Sequence, residues 1–245
     1  MDTPSALTPA GLDDDPERGR ARRERLAHAN DGLIAAAGVV EGVAGAGAPP
    51  DVVLVAGLAA LLVGVVAVAG VRFMEASDEN AAQDALVEAE ALRIAQDPDA
   101  ERAELAMLYE QKGLSPSTAR TVAEELSARD ALAAQLDAEY GLGRRSTEAP
   151  WRAAASAGGA FVVGGVVPIL VAALVPPSAR IVGTFVAVAV ALGISATIAA
   201  RSERMPVRRA VLRTVGIGVG TMVVTLALGS LLDFSQAHVD LELDL

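Results

Sequence analysis

Glu101 and Glu104 stand three residues apart in "DPDAERAELAMLYEQKGL" (97–114), a spacing that puts both carboxylates on one face of a helix. Glu90 lies on the helical stretch that leads in, and Glu139 on the last one, before "GLG". Carboxylates that converge from several helices hold hard or borderline divalent ions, and an all-oxygen set suits Fe(II), Mn(II), Mg(II) or Ca(II) far better than Cu(I). The same spacing also fits plain solvated glutamates on alanine-rich helices. A fifth carboxylate, Glu41, has different company: "NDGLIAAAGVVEGVAGAGAPP" (30–50) is otherwise small and apolar after Asp31. If that run enters a bilayer, a charged Glu41 costs about 2.5–3.5 kcal/mol on insertion scales, and such residues mark ion or proton paths. Its alternative is a protonated side chain bonded to a neighbouring helix.

Other chemistry is thinly represented. The chain has no cysteine, which removes disulfides, thiolate ligands and redox motifs. Its two histidines, His28 and His238, fall on opposite sides of the membrane in the topology below. No nucleophile stands with a base, so an enzyme is the weakest reading and no prosthetic group is expected. The net charge of −11 argues against nucleic acid as a partner.

The elements that carry these residues are membrane helices. The 245 residues are 52% hydrophobic and only 3% aromatic, with a mean hydropathy of +0.40. Val52–Val71, Ala153–Val175, Ile181–Ala200 and Thr214–Leu232 carry no charge, and each is long enough to cross a hydrocarbon core of about 30 Å. Leu33–Ala48 is a shorter fifth run that contains Glu41. Arginine placement supports it. With five spans, 19 of the 20 basic residues lie on one side and only Arg180 on the other, and the positive-inside rule makes the basic side the cytoplasm. Nineteen arginines against one lysine, with abundant Ala and Gly, point to a GC-rich bacterial genome and hence to a cell membrane. The first 25 residues do not read as a cleavable signal.

The expected fold is therefore an all-α membrane protein: five transmembrane helices, with a cytoplasmic helical metal-binding insert between the second and third. Residues 1–27 are expected to be a disordered cytoplasmic arm, 28–72 the first two spans, 73–150 the insert, 151–233 the last three spans and 234–245 an acidic tail outside. Within the insert, Asp97 with Pro98 and Ser115 with Pro116 predict two helix starts, Gly113 predicts a stop, and a short third helix is expected from about Asp130 to Tyr140. Nothing interrupts the pattern from Val71 to Gln96, so the second span should run on well past the membrane. Trp151 and Phe234 read as interface anchors. The pairs Gly38/Gly42 and Gly216/Gly220 have the spacing that allows close helix approach.

Four segments, "ANDGLIAAAGVVEGVAGAG", "PDAERAELAMLYEQKGLSPSTARTVAEELSARDALAAQLDAEYGL", "APWRAAASAGGAFVVGGVVPIL" and "RRAVLRTVGIGVG", resemble in order the vacuolar iron transporter family, over about Ala29 to Leu232. The resemblance implies a homodimer in the lipid bilayer that moves Fe(II), and also Mn(II), out of the cytoplasm in exchange for protons. It implies metal collection on Glu90, Glu101, Glu104 and Glu139, with Asp31 on the path. The chain departs from the family pattern where Arg93 replaces a glutamate and Gln135 a methionine. Ala67 and Val68 stand where the family has Ser-Met, and Val71, Arg72 and Phe73 where it has Gly-Glu-aromatic. Glu41 is not part of the pattern; it is an expected replacement for the missing path ligands, in the gap between the first two spans. Asp31 and Arg72, at matching depth, are expected to pair. The alternative function is a metal-binding membrane sensor or receptor that no longer conducts.

Overall fold

The structure is a computed structural model that describes residues 16–142, 148–202 and 205–232. Among these residues there are seven α-helices: α1 (Pro16–Gly45), α2 (Pro50–Gln96), α3 (Pro98–Gln111), α4 (Pro116–Tyr140), α5 (Pro150–Leu174), α6 (Pro177–Ser202) and α7 (Val207–Leu231). They fall into two compact units, residues 1–72 with 153–245 and residues 73–152. The expected tail at 234–245, with Phe234 and His238, lies outside the described residues, as do residues 1–15.

In the first unit, α2, α5, α6 and α7 are long and apolar enough to cross a membrane. Leu62, Val63 and Val66 on α2, Val163 and Leu174 on α5, and Val182 on α6 point outward. In a bilayer such a surface faces hydrocarbon at no cost. The chain is an all-α membrane protein.

α1 does not reach that level of apolarity, because its first turns are rich in Arg and Glu and Glu41 lies further on. It is nevertheless well enclosed between Gly32 and Glu41, where seven residues are buried. Leu33 and Ala37 pack with Val188 and Leu192 of α6 and Met222 of α7. Ala36 packs with Leu61 of α2 and with Phe161 and Ile169 of α5, and Val40 with Val53 and Ala172. All four apolar helices thus pack against α1, whose small side chains let them come close. Glycine makes the closest approaches: a Cβ at Gly164 of α5 would run into the Ala29 carbonyl, and one at Gly229 of α7 into that of Gly42.

The arm expected to be disordered is corrected over 16–27, where α1 has already begun. "ERGRARRERLAHA" is, apart from Gly19 and His28, made of good helix formers. Arg20 pairs with Glu24 one turn on at 3.3 Å, and Glu24 reaches Arg72 at 3.5 Å, while Arg22 donates to Ser202 at the end of α6.

The second unit contains α2 from Phe73 onward, with α3 and α4. Asp97 caps α3, accepting from the Ala100 N–H at 3.0 Å, and Ser115 caps α4, accepting from Thr118 at 3.4 Å. Gly113, at φ 101°, turns the chain between them. The short third helix expected from Asp130 is the second half of α4. Asp130 leaves helical geometry at φ −163° and ψ 92°, and its carboxylate restarts the helix by accepting from Ala133 N–H at 3.0 Å. Leu105, Ala106, Ala123 and Ala138 form the small core, flanked by Leu108, Tyr109 and Leu126.

Candidate functional site

Two acidic residues of the second unit, Glu101 and Glu139, lie near Glu90. This side chain, on the stretch of α2 beyond Arg72, is fully buried. Burial pushes its carboxyl above the usual carboxylate range; the Arg93 guanidinium opposes the shift, while Glu101 and Glu139 add to it. Those two carboxylates, from α3 and α4, are therefore close enough for Glu90 to feel their charge. Glu104, one turn beyond Glu101, is half-buried.

Each of these carboxylates except Glu104 already has a donor. Arg93, three residues after Glu90 on the same helix, holds one Glu90 oxygen. The same guanidinium lies 3.7 Å from Glu139 and donates to the Tyr140 hydroxyl at 3.0 Å. Tyr140 and Glu90 together hold Arg93 more firmly charged than a free arginine. Glu139 beside Tyr140 pushes the phenol up, and its burial adds to that. On α3, Glu101 accepts from the Gln135 amide twice, at its backbone carbonyl (2.8 Å) and its carboxylate (2.9 Å). Two buried oxygens are left without a hydrogen-bond partner, Glu90 Oε1 and Gln135 Oε1. With the side chains placed this way, no three Asp, Glu or His among the described residues close into a group that could hold a metal ion. The carboxylates are gathered, but their donors are protein groups.

Asp31 and Glu41, both on α1, do not share a site. Asp31 is largely exposed and lies 3.9 Å from His28 Nδ1, and Arg72 lies 3.5 Å from Glu24. Glu41 is fully buried, with neither carboxylate oxygen hydrogen-bonded. It faces Thr184 of α6, whose own hydroxyl donates to the Arg180 carbonyl at 2.9 Å. Gly38 and Gly42 face Thr225 of α7. Glu41 and its flanking glycines thus turn toward α6 and α7, not toward α2 as expected; a helix with neighbours all round does not announce which of them a given residue meets. Gly216 and Gly220 have open space around them. Sequence reasoning missed Tyr140 and Thr184; Tyr140 at least follows Glu139 directly in "AEYGLG".

Residues 23–230 match the model of the VIT family. The chain belongs to the VIT family. Its relatives include the vacuolar iron transporter of Acanthamoeba castellanii, 31% identical over 180 residues, or 73% of this chain and 69% of that protein. Vacuolar iron transporter 2 of Oryza sativa subsp. japonica is 32% identical over 176 residues, 71% of each chain. The VIT-family match takes in both α1, from Arg23 onward, and the whole acidic unit, so Glu90, Arg93 and Gln135 all lie within matched sequence.

Proposed function

We propose that this protein carries Fe(II), with Mn(II) as a second cargo, out of the cytoplasm in exchange for protons, collecting the ion on Glu90, Glu101, Glu104 and Glu139. The observation that carries the reading is membership of the VIT family through relatives named for iron transport. The chemistry agrees with it: oxygen donors from three helices gather in the second unit, and hard or borderline divalent ions prefer such donors. Asp31 at the mouth of α1 and Glu41 deeper on it are the carboxylates proposed for the path, Glu41 within the α1, α6 and α7 packing.

α1 is proposed as the fifth span, supported by its place inside four apolar helices. The N-terminus and the second unit are then cytoplasmic and the C-terminus is outside, in a bacterial cell membrane, with the working form a homodimer. The protein is read as a transporter rather than an enzyme, with the metal as cargo and no prosthetic group. A sensor or receptor that binds metal without conducting it is favoured by one observation: Arg72, where the family has a glutamate, is engaged by Glu24. Purified protein in sealed vesicles distinguishes the two. A transporter accumulates Fe(II) and Mn(II) faster when a pH gradient is imposed, and equal, background-level accumulation with and without the gradient would leave only the sensor.

A further inference from the structure

A carboxylate with no solvent exposure needs a counter-charge, because desolvation costs the ion several kcal/mol that only a close partner or a proton restores. For Glu90 the partner is built into the same helix. Arg93 lies one turn on, and its guanidinium touches Glu90 of α2 while standing 3.7 Å from Glu139 of α4. A planar fork with five donors can serve two carboxylates and the Tyr140 hydroxyl together, as it does here. One cation placed between acids from two helices does the electrostatic work of a bound divalent ion, with half the charge. Two further features mark the cluster as one that a ligand can enter. Glu90 Oε1 is buried within it without a hydrogen-bond partner, and the Arg93 side chain is 41% exposed, which gives it a way out to solvent.

We propose that Arg93 is a built-in competitor of the cargo: its guanidinium holds Glu90 and Glu139 in the metal-free protein, and a divalent ion gains those carboxylates only by displacing it. The inference rests on the second unit being the collecting site and adds a threshold to it. Metal must accumulate until it outcompetes a tethered cation, and the unit keeps its charge balance when metal is scarce. An arginine that merely fastened α2 to α4 would give the opposite response to its removal.

Mn(II) binding to the full-length protein in detergent micelles, by calorimetry, together with the melting temperature before and after MnCl2, tests this. Arg93→Gln should bind Mn(II) about tenfold more tightly, as for a site that the guanidinium leaves free about a tenth of the time. Its metal-free melting temperature should fall, and Mn(II) should restore more of it than it adds to the parent. Arg93→Lys, which keeps the charge and shortens the reach, should lie between the two and is the variant to rely on if Arg93→Gln does not fold. Arg102→Gln removes the same charge from a surface pair with Asp99 and should match the parent; equal tightening there would reduce the effect to net charge and overturn the proposal. Unchanged affinity in Arg93→Gln, with the parent still binding, would overturn it and leave the collecting site standing. Lost affinity would make Arg93 a positioning residue instead. No Mn(II) binding by any of the proteins would end both the proposal and the collecting site.

Discussion

Glu41 is the least comfortable residue in the first unit. Both of its oxygens are buried without a hydrogen-bond partner, in a helix surrounded by other helices, and a buried unsatisfied polar group costs about 1–3 kcal/mol. Removing the carboxylate should therefore help the fold. Glu41→Leu is expected to raise the melting temperature of the detergent-solubilised protein, with a gain of about 1–3 kcal/mol, while Glu41→Gln leaves it near the parent. If the residue is kept for transport, both variants should lose most Mn(II) flux in vesicles or its response to pH. Parental flux in Glu41→Leu would show that the path does not use it. The carboxylate itself was legible because it interrupts an apolar run. The neighbour it meets was not, since a helix enclosed on all sides gives no periodic contrast between one face and another. The second unit repeats the lesson: the glutamates were visible by spacing, whereas the capture of Glu90 by Arg93 and of Glu101 by Gln135 depends on rotamers and on which faces meet.

At the scale of elements, the boundaries follow local chemistry and the packing follows glycine. Asp97, Ser115 and Gly113 act where their types predict, because a cap or a left-handed turn is decided by a few adjacent residues. At the early start of α1 helix-forming residues are joined by contacts of the first turns with Arg72 and Ser202. Helix α5 offers a paired test of the glycine argument. A Cβ at Gly164 meets the Ala29 carbonyl, whereas one at Gly159 meets nothing within 4 Å. Gly164→Ala should force α1 and α5 apart and cost about 1–3 kcal/mol, as overpacking does. Gly159→Ala should be neutral or gain up to about 1 kcal/mol. Thermal melts of the two variants in one detergent give the comparison, and equal melting temperatures would mean that α1 and α5 are not in contact at this point. Of the two glycine pairs seen in the sequence, Gly38/Gly42 faces a helix and Gly216/Gly220 does not. The spacing is the same, so spacing alone could not separate them.

For the whole molecule, topology turns on α1. By length and composition only four described helices qualify as spans, and with four, the N-terminal arginines and the second unit would end on opposite sides of the membrane. With five they share a side. The physical case for the five proposed spans is that α1 buries Leu33, Ala36, Ala37 and Val40 among helices long and apolar enough to cross a membrane. Charge agrees, since moving cationic loops across the membrane is opposed during insertion. The chain contains no cysteine, so single introduced thiols can report sidedness without background. Ala21→Cys at the exposed start of α1, Ser117→Cys on α4 and Ser178→Cys at the start of α6 are all exposed positions. On intact cells an impermeant maleimide should label Ser178→Cys alone, and the other two should react only after the membrane is opened. Labelling of Ala21→Cys from outside, with Ser117→Cys still protected, would place the arm across the membrane from the second unit. It would reduce the spans to four and require the α1 packing to form without α1 crossing the bilayer.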